Sequence, residues 1–235
     1  MAGVSAFHLF RRTPEWEFFG RSLRIGVFLS FPALMVTAVF GGIQFAALRT
    51  LQPMKSAVFS RQTAEIERLQ TDMAARFGPG DYVPSEAWTR GGGLVMLICF
   101  GLMMYFTFAG VIMACFKKVV FRFRLWHLAL MATVPLPYLA MISGWIFREA
   151  GRQPWVVYGL LTTEDAVSDL SPTSMRVSLA VFTTLFALLV VLNAWLLARF
   201  ARRGPVDSGL GHDDRTEAGE VPAEDSAEAV PPARY

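Results

Sequence analysis

Charged side chains are scarce in this sequence. Only 17% of its 235 residues are Asp, Glu, Lys or Arg, whereas 54% are hydrophobic, and these include 20 Phe and 11 Met. This composition is too apolar for a soluble domain of the same length. The shortage of charge therefore argues against a soluble protein and favours a membrane protein.

Cysteine and histidine are also rare, with two and three residues in the whole chain. Cys99 and Cys115 lie in the same apolar stretch, so neither a disulfide framework nor a Cys-rich metal site is expected. His8 and His212 lie in terminal segments, and His127 lies near one end of an apolar stretch. A lone histidine near a membrane interface more often forms a hydrogen bond or a cap than binds a metal.

The sequence lacks the patterns of nucleotide and nucleic-acid binding. Gly91, Gly92 and Gly93 form a run of glycines, but neither GxGxxG nor GKS/T continues it. No basic cluster with interleaved aromatic residues lies outside the expected membrane boundary. We therefore expect no nucleic-acid partner, and we attribute the net charge of +3 to membrane orientation.

Four long stretches contain no Asp, Glu, Lys or Arg. They run from Ile25 to Leu48, Leu94 to Phe116, Leu125 to Phe147 and Val177 to Ala198. Each is long enough to cross about 30 Å of hydrocarbon as a helix that satisfies its own backbone hydrogen bonds. The sequence thus predicts an all-α, polytopic membrane protein with four transmembrane helices, the third kinked by Pro135 and Pro137.

Basic residues concentrate in three segments: before the first stretch, between the second and third, and after the fourth. Residues 49–93 and 148–176, by contrast, contain nine basic and nine acidic residues between them. Because Lys and Arg collect on the cytoplasmic side, both termini are predicted to be cytoplasmic and these two loops to face outward, in a bacterial inner membrane. The basic residues that carry this prediction are Arg11, Arg12, Arg21, Arg24, Lys117, Lys118, Arg122, Arg124, Arg199, Arg202 and Arg203.

The pattern divides the chain into three parts. Residues 1–24 form a predicted cytoplasmic segment, and residues 25–203 form the membrane domain with its two outward loops. Within the first loop, residues 56–76 are typical of an amphipathic helix, which FGPGDYVP ends. Residues 204–235, rich in Asp, Glu, Ala, Pro and Gly, are predicted to be a disordered acidic tail without a catalytic role.

Glu149, at the outward end of the third stretch, is the strongest candidate for a functional site. A carboxylate close to membrane depth is costly unless it pairs, binds a metal or meets water. One interpretation is an ion pair with Arg148 or Arg152, worth about 0–1 kcal/mol if exposed. The other is a ligand to a cationic centre, or a step in a proton path. Trp145 and Trp155 suit a membrane interface, and the donors of Arg152 with an aromatic face could hold a quinone head or a haem propionate.

Met96 and Lys55 are two weaker candidates. A thioether can complete low-spin haem iron opposite a histidine, although a methionine among apolar residues is usually a packing residue. Lys55 lies just beyond the first stretch, where its simplest interpretation is a lysine that extends along the interface towards water. Both interpretations stay open for each residue.

Residues 144–168, GWIFREAGRQPWVVYGLLTTEDAVS, resemble the signature of cytochrome bd quinol oxidase subunit I. Other segments resemble this family in the same order. Residues 52–55 (QPMK) are similar to the start of its quinol-binding loop and residues 95–97 (VML) to its methionine-bearing helix. Residues 17–25 and 199–205 resemble the lead into its sixth helix and the exit from its last. The resemblance covers about residues 15–205.

The resemblance implies haem and quinol roles for individual residues. Glu149 would be the axial ligand of the high-spin haem b, with Trp145 beside this haem and Arg152 near its propionates. Met96 would be one axial ligand of the low-spin haem b, and Lys55 would assist quinol binding. The family oxidises ubiquinol or menaquinol and reduces oxygen to water, and its electrons pass from the low-spin haem b to haem b and haem d.

The sequence also departs from the family pattern. It resembles only the last four helices of subunit I, and the histidine opposite the methionine and the histidine serving haem d belong to the other half. Leu94 stands where the pattern has an arginine, two residues before Met96, and Ser60 stands where the quinol loop has a glutamate. The loop 49–93 is also shorter than in the family.

The leading hypothesis is the carboxyl-terminal half of a split subunit I, or a shortened homologue, that supplies ligands or scaffold to the haem b sites and is inactive alone. Its expected partners are a chain with the missing half and its histidines, subunit II of the oxidase, quinol and membrane lipid. Haem d would belong to the assembled complex. Small residues could let the two halves pack closely, namely Gly41, Gly42, Gly101 and Gly110.

The alternative is a non-catalytic membrane accessory or assembly protein that retains the subunit I scaffold. Leu94 and Ser60 favour this alternative. A small transporter is less favoured, because the four stretches lack central charges. No residue of the chain is predicted to be catalytic by itself.

Overall fold

The structure, a computed structural model, describes residues 1–116, 120–121 and 123–203. Its helices are α1 (Ala2–Arg11), α2 (Trp16–Leu51), α3 (Pro53–Ser60), α4 (Thr63–Phe77), α5 (Glu86–Ala114), α6 (Arg124–Ala132), α7 (Leu136–Ala150) and α8 (Pro172–Arg203). Strands β1 (Trp155–Val157) and β2 (Leu161–Thr162) form a short antiparallel hairpin after α7. The predictions for Lys117, Lys118, Arg122, His212 and the tail 204–235 lie outside the described residues, as does the side chain of Arg203.

Within the described residues, four helical segments are long and apolar enough to cross a membrane. They are Trp16–Leu51, Glu86–Ala114, Arg124–Ala150 and Pro172–Arg202. Three of them contain an uncharged stretch in full and Glu86–Ala114 contains residues 94–114 of the remaining one, so the prediction of an all-α, polytopic membrane protein is confirmed. The side of the membrane on which the termini lie stays a prediction.

The third of these segments is interrupted rather than merely kinked. Helix α6 ends at Ala132 and α7 begins at Leu136, with a turn between them. Pro135 and Pro137 have no backbone N–H to donate, which interrupts the helical ladder at this point. Pro137 instead lies in the first turn of α7, where an N–H would have no helical partner.

The amino-terminal segment contributes to a hydrophobic core. Helix α1 packs against α2 and α6, and α2 begins nine residues before Ile25. His127 is 1% exposed and its Nε2 lies 2.7 Å from the Val120 carbonyl oxygen, as expected for a hydrogen-bonding histidine. The His8 ring stacks on Phe19 at 4.1 Å. We call this core the α1 cluster; its buried apolar members are Ala6, Leu9, Phe19, Leu23, Val27, Val120, Trp126 and Leu130.

The loop 49–93 contains two helices where the sequence predicts one amphipathic helix over residues 56–76. Helix α3 ends at Ser60 because Arg61 adopts a left-handed conformation with φ 54° and its N–H bonds back to α3 carbonyls. Helix α4 then runs to Phe77, as far as predicted. Gly78, with φ 98°, ends it in a conformation that favours glycine.

Helices α5 and α7 approach each other closely. A Cβ atom added at Gly92 would lie 2.8 Å from the Ser143 carbonyl oxygen and 2.9 Å from the Phe147 nitrogen. Glycine inside a helix costs about 1 kcal/mol relative to alanine. Here the missing side chain lets two backbones meet, and this contact fixes the end of α7 that carries Glu149.

Helix α8 belongs to a separate compact unit that begins at Leu170. Its apolar side chains are exposed along its length, including Phe182, Leu188 and Trp195. A helix that is apolar all round is typical of a segment surrounded by lipid or by other helices.

Candidate functional site

Glu149 lies in the last turn of α7, and its side chain is 39% exposed. Its Oε1 atom lies 3.6 Å from Arg148 Nε and 3.8 Å from Arg152 Nη2. Both distances exceed those of a hydrogen bond, so each ion pair is weak. Among the described residues, these two arginines are the only basic side chains within 4 Å of the carboxylate. The carboxylate therefore has oxygen lone pairs available at the end of the helix.

Arg152 lies just beyond α7, with its side chain 24% exposed. Its Nε atom is buried and has no hydrogen-bond partner among the described residues. An unpaired buried donor costs about 1–3 kcal/mol. Arg152 therefore offers an unused N–H group beside the Glu149 carboxylate, where an acceptor would stabilise it.

Lys55 lies against the same end of α7, although 93 residues separate it from Arg148 in the sequence. The residue is 4% exposed, and its Nζ atom donates a hydrogen bond to the Arg148 carbonyl oxygen at 3.3 Å. Nζ also lies 4.3 Å from the centre of the Phe147 ring, within range of a cation–π interaction. A lysine extending towards water does not fit this burial, so that interpretation of Lys55 is wrong.

The environment of Lys55 disfavours its charge. Burial lowers the pKa of Lys55 to about 8, and the positive charge of Arg152 acts in the same direction. The negative charge of Glu149 partly offsets both effects. Lys55, Glu149 and Arg152 thus form one electrostatically coupled group, which we call the Glu149 cluster.

Trp145 and Trp155 occupy different environments. Trp145 is 64% exposed on α7. Trp155 is 2% exposed, so its predicted place in an interface belt is wrong. Its ring stacks on Tyr82 at 5.6 Å and meets the edge of Phe77 at 4.8 Å. Trp155 therefore joins the β-hairpin to the segment that follows α4.

Met96 lies on the face of α5 that meets α7. Its sulfur lies 2.8 Å from the position that a Cβ atom would take at Gly144. This is the packing contact that one of the two sequence interpretations predicts. The contact places the thioether five residues before Glu149 along α7.

Neither described histidine lies in the Glu149 cluster. His8 and His127 are buried in or against the α1 cluster. No group of three or more His, Cys, Asp or Glu side chains in the described part of the chain could hold a metal ion.

Sequence reasoning overlooked Arg90. It lies four residues before Leu94 on α5, and its Nη1 atom donates to the Phe59 carbonyl oxygen at 2.8 Å. Arg90 and Leu94 line an open groove of about 520 Å³. Arg61 and Glu86 line the same groove and form an ion pair at 2.9 Å. One helical turn thus separates Arg90 from the position where the family pattern has its arginine.

These features define a polytopic α-helical membrane protein with a carboxylate, a guanidinium and a buried lysine grouped at one helix end. The family model for cytochrome bd terminal oxidase subunit I matches residues 79–205. The chain therefore belongs to the cytochrome bd terminal oxidase subunit I family, as its sequence signature predicts.

Two relatives show the extent of the similarity. Cytochrome bd ubiquinol oxidase subunit 1 of Bacillus subtilis (strain 168) is 26% identical over 250 residues, which cover 87% of this chain and 53% of the relative. Cytochrome bd-II ubiquinol oxidase subunit 1 of Escherichia coli (strain K12) is 29% identical over 116 residues, 47% of this chain and 21% of the relative. The chain thus spans about half the length of the Bacillus relative.

Proposed function

We propose that this chain is a haem-binding part of a cytochrome bd-type quinol:oxygen oxidoreductase in the bacterial inner membrane. Glu149 would hold the iron of a high-spin haem b, and Met96 would be one ligand of a low-spin haem b. Bound haem would carry single electrons between quinol oxidation and oxygen reduction. The chain would be incomplete alone, because a low-spin haem held by Met96 would also take a histidine, which another chain would supply.

The state of Glu149 is the observation that carries this proposal. Its carboxylate has only long ion contacts, at 3.6 and 3.8 Å, and it remains 39% exposed at the end of α7. The unpaired Nε of Arg152 would find its acceptor in a haem propionate. Trp145, exposed on the same helix, would cover one side of the haem. These residues fit a haem held by a carboxylate.

Met96 supplies a soft sulfur ligand of the kind that stabilises low-spin haem iron with a histidine. Its contact with Gly144 holds the side chain between α5 and α7. The described histidines lie elsewhere, which agrees with a histidine ligand from a second chain. That chain, carrying the amino-terminal half of subunit I, is the partner we propose.

Quinol, subunit II of the oxidase and lipid are the other proposed partners, and haem d would be held by the complex. Quinol would meet the outward loop 49–93, at whose start Lys55 lies. The described residues leave room for a second half along the membrane helices, because Gly41, Gly42 and Gly101 have no neighbouring atom within 4 Å of an added Cβ. Gly110 does not serve this purpose, since it packs within the chain against Val27 and Trp126.

A non-catalytic accessory or assembly protein is the second candidate function. It is favoured by Leu94 and Ser60, which replace an arginine and a glutamate of the family pattern. The argument from Leu94 is weakened by Arg90, because Arg90 places an arginine on α5 one helical turn from Leu94. Such a protein would keep the helical scaffold without taking part in electron transfer.

A reduced-minus-oxidised haem spectrum distinguishes the two functions. The chain would be purified alone and after co-expression with its genomic neighbours, as wild type, Glu149→Ala and Met96→Ala. Glu67→Ala removes a carboxylate from an exposed position on α4 and is the matched control. We expect Glu149→Ala to abolish the high-spin component and Met96→Ala to abolish the low-spin one. A wild-type complex without any haem signal would favour the accessory function.

A further inference from the structure

The last turn of α7 leaves one carbonyl group without a backbone partner. The Gly151 N–H donates to the Phe147 oxygen at 3.2 Å, and the Arg152 N–H donates to the Glu149 oxygen at 3.3 Å. The oxygen of Arg148, which lies between Phe147 and Glu149 in the sequence, accepts no hydrogen bond from a backbone N–H of the described residues. The final carbonyls of a helix need such donors from elsewhere.

Lys55 supplies the missing donor. Its Nζ atom lies 3.3 Å from the Arg148 oxygen, and the residue is 4% exposed. A cationic donor at a helix carboxyl end also interacts favourably with the helix dipole. Lys55 therefore acts as a cap that reaches α7 from the loop 49–93.

The stem of Lys55 is fixed in the same place. A Cβ atom added at Gly151 would lie 2.7 Å from the Phe147 oxygen, 2.8 Å from Lys55 Cε and 3.0 Å from Lys55 Cδ, so the absence of a side chain at Gly151 makes room both for the end of α7 and for the lysine. On another side, the Phe147 ring centre lies 4.3 Å from Nζ. These contacts hold Lys55 against the residues on both sides of Glu149.

We infer that Lys55 is a positioning residue for Glu149, which it serves by capping the turn that carries this carboxylate. The inference rests on the proposed haem ligation by Glu149. It differs from the role that family resemblance implies, because a buried Nζ bound to the Arg148 carbonyl cannot contact quinol without abandoning the cap. Any effect of Lys55 on quinol oxidation is then transmitted through the haem site.

Three substitutions test this inference in the complex formed with the co-expressed partners. Lys55→Met keeps the length of the stem but removes the donor, and Lys55→Arg keeps a cationic donor. Gly151→Ala keeps the lysine but crowds both its stem and the Phe147 oxygen, so it disturbs the capped turn from the other side if Lys55→Met fails to fold. Arg61→Met is the matched control, because it removes one positive charge from the same loop at a side chain that is 66% exposed.

The first measurement is amide hydrogen exchange of residues 151–153 in the haem-free chain. We expect Lys55→Met to accelerate exchange there on the order of tenfold, as the loss of a charge-assisted hydrogen bond predicts. Lys55→Arg should restore most of the protection, and Arg61→Met should leave it unchanged. Unchanged exchange in Lys55→Met would overturn the cap.

The second measurement compares the haem spectrum with the KM for quinol. A positioning role predicts that Lys55→Met and Gly151→Ala shift or weaken the high-spin component, while the low-spin component and KM stay as in wild type. A raised KM with an unaltered high-spin component would instead assign Lys55 to quinol and overturn the inference. If Glu149→Ala leaves the spectrum unchanged, the proposed function itself fails, and the role of Lys55 towards haem fails with it.

Discussion

The thioether sulfur of Met96 occupies the space beside Gly144, 2.8 Å from the position that a Cβ atom would take there. In lipid there is no hydrophobic driving force between helices, so helices associate through close packing at small residues such as this glycine. The contact between Met96 and Gly144 therefore stabilises the packing of α5 against α7 and also positions Met96, a candidate haem ligand. Either residue can be changed to test this connection.

Gly144→Ala should destabilise the protein by about 1–3 kcal/mol, because the added methyl group overlaps Met96. Thermal unfolding of the detergent-solubilised chain would measure the change. Gly101→Ala is the control, since nothing lies within 4 Å of an added Cβ at Gly101. The double variant Gly144→Ala with Met96→Ala should recover part of the loss. Additive losses in the double variant would contradict a direct contact.

Two adjacent glycines on α5 should respond differently to alanine. At Gly92 the new Cβ would lie 2.8 Å from the Ser143 oxygen, a backbone atom that cannot rotate away, so α5 and α7 must separate. At Gly91 nothing lies within 4 Å, and alanine should stabilise the helix by up to about 1 kcal/mol. Melting temperatures of both variants would check this, and equal losses at the two positions would count against the close approach.

Stability should rise with pH between about 8 and 10.5 because of Lys55. Burial lowers the pKa of Lys55 in the folded chain to about 8 from its usual 10.5, so the unfolded chain binds more protons in this window. Below pH 8 the buried charge destabilises the fold, by at most about 3 kcal/mol. As the pH rises through the window, the folded chain loses this charge first and the penalty disappears.

Unfolding of the haem-free chain between pH 7 and 10.5 would measure this dependence. The rise should be absent from Lys55→Met, which has no group that titrates at this position. Arg61→Met, which removes an exposed charge, should retain it. A rise of equal size in Lys55→Met would assign the effect to other groups.

Trp155→Ala should cost about 3–5 kcal/mol, as is usual when a buried large aromatic side chain is truncated. The loss would fall on the contact with Tyr82 and Phe77, so protease cleavage in residues 78–84 should accelerate. Trp155→Phe should cost much less, because the Nε1 atom has no hydrogen-bond partner among the described residues. Trp145→Ala, at a position that is 64% exposed, is the control and should leave cleavage unchanged.

The sequence was sufficient to predict the membrane helices and to mark Glu149 as a candidate site residue. Lipid imposes a minimum length of uncharged residues on every helix that crosses it, and such stretches are visible without any tertiary contact. A carboxylate near membrane depth is conspicuous for the same reason. Both predictions follow from the contact of a single segment with the lipid bilayer, which does not depend on how the rest of the chain folds.

Contacts between distant segments were beyond such reasoning. Nothing local to Lys55 indicates that its partner is a carbonyl 93 residues away, and its neighbours in the sequence suggest an exposed lysine. The break at Arg61 escaped notice because arginine has no preference for a left-handed conformation. The burial of Trp155 likewise depends on Tyr82, which the sequence places in a different loop.

The turn between α6 and α7 divides one membrane crossing into two separate helices. A continuous helix transmits rotation along its whole length, whereas the missing N–H groups of Pro135 and Pro137 interrupt the ladder that would transmit it. Helix α6 is fixed to α1, and α7 is fixed to α5. The two halves of this crossing therefore have different packing partners, and the end that carries Glu149 is held by α5 rather than by α1.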